Sequence, residues 1–267
     1  MKIDLKGKIA LITGGSKGIG KGAAEALSGA GATVVICARD EKELAATAQE
    51  ISGKTGFPVK FYTNDVTNDE DVKNLVDKIK SEVGSVDILV NNAGGIGENL
   101  EFEKLSPKSF LDLYDLNVVS MVRFIQAVLP EMKEKKWGRI INISSENGLQ
   151  PYPDMISYNL TKAANINLSK GISKLVGHYN ILVNTVSPAF IKTPLVENML
   201  QTMAEKDGKT VEEVEHGFLT QKRPGIDVGR AGTIEEVGAA IVFLASEQAS
   251  FINGTNLRVD GGSVGAI

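Results

Sequence analysis

The chain is almost empty of the residues that build disulfide frameworks and metal centres. Cys37 is its single cysteine, so no internal disulfide can form, which suits a reducing cytoplasm. The two histidines, His178 and His216, lie far apart and show no ligand spacing, so no metal site is expected. No stretch approaches the roughly 18 uninterrupted apolar residues of a membrane span. The opening MKIDLKGKIALITGG offers no signal-peptide core of usable length, because its apolar run ends in glycines. Positive charge is not in excess either: 29 Lys and Arg stand against 33 Asp and Glu, a net charge of −4. That balance argues against a nucleic-acid or anionic-membrane surface. A soluble, cytoplasmic protein is expected.

What is present fits an enzyme. Of 267 residues, 42% are hydrophobic and 23% charged, enough for one large α/β domain or two small ones. Short β-branched runs predict strands at Lys8 to Thr13, Thr33 to Ala38, Val59 to Tyr62, Val86 to Val90, Arg139 to Ile143, Ile181 to Val186 and Asn256 to Val259. Helical patterns lie between them. One runs through Leu27, others over Glu41 to Ile51, Asp69 to Val83, Lys108 to Glu134 and Ile234 to Ser246, and another carries Tyr158. Such alternation needs crossover connections, hence a seven-stranded parallel sheet covered by helices on both faces. No linker divides the chain, so one domain is expected. Ser187 to Gly232 is less regular, although Leu195, Val196, Met199, Leu200 and Met203 keep helical spacing.

Thr13-Gly14-Gly15-Ser16-Lys17-Gly18-Ile19-Gly20 joins the first strand to the first helix. Glycines there let the backbone turn sharply and approach a pyrophosphate at a helix N-terminus, the arrangement of a dinucleotide-binding loop. A site for NAD usually adds an acid about 20 residues further on. Asp40 lies at that distance, but Asp40-Glu41-Lys42-Glu43 also reads as a capping box. Lys17 and Arg39, both cationic, suit a ribose 2′-phosphate, so NADP(H) is preferred over NAD(H). The lesser alternative for Arg39 is a solvated turn residue.

Tyr158 and Lys162 are four apart and share a helix face. At about 4 Å and an effective dielectric near 20, the lysine charge favours a phenolate by ~4 kcal/mol, about three pKa units. A tyrosine lowered by that much can exchange protons with an alcohol.

Together these stretches resemble the short-chain dehydrogenase/reductase family over essentially the whole chain. The matching pieces are TGGSKGIG at Thr13, NNAG at Asn91, Asn117 in the long helix, ISS before Glu146, YNLTK at Tyr158, SPAFIKTP from Ser187 and the terminal VDGG. The resemblance implies a single-domain doubly wound Rossmann fold with a substrate lid at about 190–230. It implies hydride transfer between NADP(H) and a ketone or secondary alcohol. Tyr158 would be the general acid or base, assisted by Lys162, which also holds the nicotinamide ribose. Ser145 would bond the substrate oxygen, and Asn117 would hold a water linking Lys162 to solvent; without the resemblance, Asn117 reads as a local helix break. Gly14, Ser16, Lys17, Gly18, Ile19, Gly20 and Arg39 would bind the phosphates, Asp65 and Val66 the adenine, and Asn91, Ala93 and Gly94 the middle of the cofactor. Thr67-x-x-Glu70 would cap the next helix and leave Asp65 available. Pro188, Ala189, Ile191 and Thr193 would reach the nicotinamide, with Ala189 replacing the family's usual glycine and demanding a less permissive backbone.

The substrate is less defined. The lid's Met-bearing stripe forms either an adaptable apolar wall or a packing face. Gly95 to Gly97 and Leu149 to Tyr152 add mostly apolar or neutral residues, which suggests a medium-sized, rather apolar ketone. The 3-oxoacyl-carrier-protein reductase branch is the nearest named activity. Its docking cations would correspond to Lys133, Lys135 and Lys136, which also read as a solvated helix end, and to a position held here by Tyr179. A nucleotide-binding scaffold without turnover is the alternative class, and the complete catalytic set argues against it. The resemblance also implies a homo-oligomer, dimer or tetramer, for which the apolar ending Val264 to Ile267 is compatible with burial between subunits.

Overall fold

The computed structural model describes residues 3–98 and 100–265, so Ala266 and Ile267 of the apolar ending lie outside the described residues. All seven expected strands form: β1 (Ile9–Thr13), β2 (Thr33–Ala38), β3 (Lys60–Thr63), β4 (Ile88–Asn91), β5 (Gly138–Ile143), β6 (Ile181–Pro188) and β7 (Asn256–Val259). They make one sheet in the order β3-β2-β1-β4-β5-β6-β7, with every pairing parallel. The order reverses between β1 and β4, and a crevice opens at their carboxyl ends, where ligands bind in doubly wound sheets.

Side-chain alternation along the strands feeds two cores. Ala10 and Ile12, Val34 and Ile36, Ile88 and Val90 face α1 (Gly18–Gly29), α2 (Glu41–Thr55) and α9 (Ile234–Ala245). Leu11, Val35, Leu89 and Ile140 face α3 (Asp69–Glu82) and α5 (Ser120–Lys135) on the other side. In α3 the buried stripe is Val72, Leu75, Val76 and Ile79, a helical repeat that covers the sheet.

The expected helix over Lys108 to Glu134 is interrupted. Ser106 caps α4 (Pro107–Tyr114), with proline at its first position, and a π-helical turn, Asp115–Val119, separates it from α5. Asn117 sits in that turn. It is fully buried, and its amide bonds leave the helix for Gly95 and for Thr161 of α6 (Ile156–Val176).

The irregular region contains α7 (Pro194–Asp207), which the apolar spacing predicts, and α8 (Val211–Lys222), which it does not. The two form a small core of their own with Phe190, Leu200, Ala204, Val214, Leu219 and Ile226. Most of the α7 stripe packs there: Leu200 is buried, and Val196, Met199 and Met203 lean on the cluster. Leu195 alone stays largely exposed, at the edge of the cleft.

Candidate active site

A cleft of about 640 Å³ opens at the carboxyl ends of β1, β2 and β4. Gly14, Ser16, Lys17, Gly18, Ile19, Arg39, Val66, Ala93, Gly94 and Thr193 line it, as the sequence suggests, together with Asn64 and Asn92. Gly14 and Gly18 adopt φ of 64° and 55°, the left-handed region that favours glycine. Gly20 has another reason: a Cβ there would lie 2.2 Å from the Gly14 carbonyl oxygen, so it serves close packing of the helix against the loop. Thr193, capping α7, hangs over Gly18, so the lid begins at the phosphate loop.

Several expected cofactor contacts are placed elsewhere. Asn91 is turned into the protein, where its Nδ2 donates to Asn142 Oδ1 at 2.8 Å. Its neighbour Asn92 lies at the cleft instead and donates to the Thr13 and Gly14 carbonyls. The Asp65 side chain bonds the Thr67 amide and hydroxyl, and these bonds, with Arg39 nearby, hold its carboxyl below the usual range. The cap of α3 is Asn68 rather than Thr67, because the Thr67 hydroxyl is committed to Asp65. Asn64, almost fully buried beside the cleft, has no hydrogen-bond partner for either side-chain atom among the described residues. Sequence reasoning had no signal for it. Asp40 caps α2 as expected, but Glu43 does not complete the box; its carboxylate accepts from Ser16 Oγ at 2.7 Å and from Lys17 Nζ at 3.3 Å.

Pro188 closes β6, and Ala189 follows with its amide on Val259. Among the described non-glycine residues only Lys136 and Asn180 have positive φ, so alanine at 189 carries no strain. Ile191 pairs with Gly232 at the lid's base, and with Ala189 it lines a separate, smaller cavity of about 240 Å³.

Beyond β5 the chain brings Ser145, Tyr158 and Lys162 together. Ser144 Oγ donates to the Lys162 carbonyl at 2.7 Å, tying the end of β5 to α6. The Ser145 side chain sits beside the Tyr158 hydroxyl, close enough to lower its pKa, and its Oγ donates to Asn147 Oδ1 at 3.1 Å. The two serines therefore do different things: Ser144 only ties β5 to α6, while Ser145 caps the turn at Asn147 and also faces the phenol. Lys162 Nζ lies 5.4 Å from the Tyr158 ring centre and donates to the Ile143 carbonyl at 3.0 Å.

The electrostatics differ from the sequence expectation. Tyr158 is half-buried, and desolvation pushes its phenol up to about 12, helped by the Glu146 charge and opposed by Ser145. Burial alone brings Lys162 down to about 8. Desolvation outweighs attraction between the two groups, and both are biased toward their neutral forms.

Polar groups surround this set. Glu146 is 2% exposed, lies 3.7 Å from Arg223 Nε at the end of α8, and has its carboxyl pushed up by burial. The Arg223 guanidinium stacks on Tyr152 at 3.7 Å, and Asn147 bonds Asn159 at 2.8 Å. The lysine run lies at the other end of the sheet. Lys135 pairs with Asp87 and the Ser85 carbonyl just before β4, and Lys133 sits over Tyr179. Among the described residues no cluster of ligating side chains could hold a metal ion, and no helix is long and apolar enough to cross a membrane.

Known proteins share this architecture. The profile of the short chain dehydrogenase family matches residues 8–204. An uncharacterized oxidoreductase of Bacillus subtilis is 36% identical over 99% of both chains. The 3-oxoacyl-[acyl-carrier-protein] reductase of Escherichia coli is 36% identical, over 97% of this chain and 98% of its own. The crystal structure of L-sorbose reductase from Gluconobacter frateurii, complexed with NADPH and L-sorbose, superposes with a TM-score of 0.95 and 31% identity over the whole of both chains. With its all-parallel seven-stranded sheet and a match of this extent, the chain is an oxidoreductase of the short-chain dehydrogenase/reductase family.

Proposed function

We propose that the protein transfers a hydride between NADP(H) and a ketone or secondary alcohol, with Tyr158 as the proton donor and acceptor. The observation that carries this reading is the grouping of Ser145 and the Tyr158 phenol beside buried Lys162, whose Nζ lies 5.4 Å from the phenol ring centre. The cleft fits a dinucleotide: its glycine loop turns where a side chain would not fit, and Arg39 lines it without a hydrogen bond among the described residues. When bound, the nicotinamide supplies the hydride in reduction and takes it in oxidation.

The chain's own part is proton handling and positioning. Ser145 donates to the carbonyl oxygen and stabilises the charge that develops there. Tyr158, neutral at physiological pH, is in the right form to give its proton to that oxygen. Lys162 holds positive charge near the phenol and near the expected position of the nicotinamide ribose. Asn117 acts as a clamp, since its amide is committed to Gly95 and Thr161; a water linking Lys162 to solvent would rest on its main chain.

Glu146, Asn147, Asn159 and Arg223 favour a hydroxylated ketone over the apolar one suggested by sequence. L-Sorbose in the neighbouring structure has that chemistry. A thioester on a carrier protein is the less favoured reading, because Lys135 is engaged far from Ser145. We also propose a homo-oligomer, for which exposed Leu111, Leu160 and Leu175 on α4 and α6 offer apolar surface. The test of function is NADPH oxidation followed with a ketohexose, an apolar diketone and a 3-oxoacyl thioester. Turnover with the ketohexose is expected, and no oxidation with any carbonyl would overturn the proposal.

A further inference from the structure

Glu43 holds an unusual place for a carboxylate. It lies on the first turn of α2 and lines the cleft with Ser16, Lys17 and Arg39. Its two oxygens accept from Ser16 Oγ and Lys17 Nζ. One helical turn on, Thr47 Oγ1 donates to the Ser16 carbonyl at 2.7 Å, so one face of α2 grips the phosphate loop twice. Asp40 shares the cleft wall, and Asp65 lies close enough to Arg39 to be affected by its charge. Two cations, Lys17 and Arg39, are thus matched by three carboxylates.

We propose that Glu43 determines cofactor specificity. It is an anionic plug on the donors that a ribose 2′-phosphate would use, and it restrains NADP(H) while leaving NAD(H) admitted. The inference rests on reading this end of the cleft as the adenosine end. A 2′-phosphate carries more than one negative charge near neutral pH, as other phosphate monoesters do. To bind Ser16 and Lys17 it must displace the carboxylate and then sit beside it. A ribose hydroxyl has no such conflict, because Glu43 can accept its hydrogen bond. Arg39 attracts the phosphate and Glu43 opposes it, and the balance sets the preference.

The experiment is calorimetric titration of the full chain and of Glu43→Gln with 2′,5′-ADP and with 5′-AMP. Glutamine keeps an oxygen for the Ser16 hydroxyl and removes only the charge. The variant is expected to bind 2′,5′-ADP about ten-fold tighter at low salt, with 5′-AMP changed less than about two-fold. The gain should shrink near 1 M salt, where the screening length is about 3 Å. If both proteins bind the nucleotides and Glu43→Gln gives no gain or a loss for 2′,5′-ADP, the plug is refuted while the cleft reading stands. If neither protein binds either nucleotide, both readings fall together.

Discussion

Asn117 grips Gly95 by both ends of its amide. Oδ1 accepts from the Gly95 N–H at 2.8 Å, and Nδ2 donates to the Gly95 carbonyl at 2.9 Å. The second Nδ2 hydrogen reaches Thr161 Oγ1, whose own hydrogen goes to the Tyr158 carbonyl. One side chain therefore joins the loop after β4 to the helix that carries the phenol. Asn117→Ala leaves these partly buried groups unpaired and is expected to cost about 1–3 kcal/mol of stability, several degrees in Tm. Cofactor binding should weaken as well. A thermal melt unchanged from the wild type would contradict the clamp.

Ser144 and Ser145 separate structure from chemistry. Ser145→Ala removes the hydroxyl beside Tyr158 and is expected to lower kcat by about 10²–10³, with a stability loss of ~1 kcal/mol from the loss of its bonds to Asn147. Ser144→Ala removes a buried bond to the Lys162 carbonyl and should lower stability by ~1 kcal/mol, with a far smaller effect on kcat. Equal losses of kcat in the two variants would sink this division.

Lys162 is costly to bury. Its value is brought down to about 8 from an ordinary 10.5, so between those limits the unfolded chain binds more protons than the folded one. Stability should therefore rise with pH across that window, and the penalty is complete below about 8. Lys162→Met removes the charge at similar volume and is expected to be ~1–3 kcal/mol more stable at pH 7, yet inactive. Its advantage should fade as pH rises through 10.5, above which the wild-type lysine is neutral in both states. Denaturant titrations of both proteins across this range check the sign; a variant less stable at neutral pH would contradict it.

Arg39 lines the cleft without a hydrogen bond among the described residues. Arg39→Ala is expected to raise the Kd for NADPH about ten-fold or more and to leave NADH nearly unchanged. Fluorescence titration with both cofactors reads this directly, and parallel weakening of both would remove Arg39 from the 2′-phosphate.

Much of this was legible because hydrophobic periodicity and local motif chemistry are written in sequence. The α3 stripe and the Asn256–Val259 strand stand where their patterns place them. The π-helical turn was not legible, since Asn117 leaves the helix for partners 22 and 44 residues away. The helix α8 carries only two buried side chains, Val214 and Leu219, too few for a clear stripe. Its one readable signal was the capping box of Thr210 and Glu213. Glu43 misled in the opposite way, because a local D-x-x-E pattern does not reveal that the acid turns to a loop 27 residues earlier. The Tyr158 shift failed for the same reason. Spacing gives proximity to Lys162, but burial of both groups decides the sign.

The central claim is that the Tyr158 phenol, beside Ser145, carries the proton that accompanies hydride transfer. Single-turnover NADPH oxidation by Tyr158→Phe, with cofactor affinity measured on the same protein, tests it most directly. The account predicts NADPH bound within about three-fold of the wild type, and a hydride-transfer rate lower by 10² or more, roughly the share of general acid catalysis. A rate equal to that of the wild type, with the cofactor bound, would contradict it.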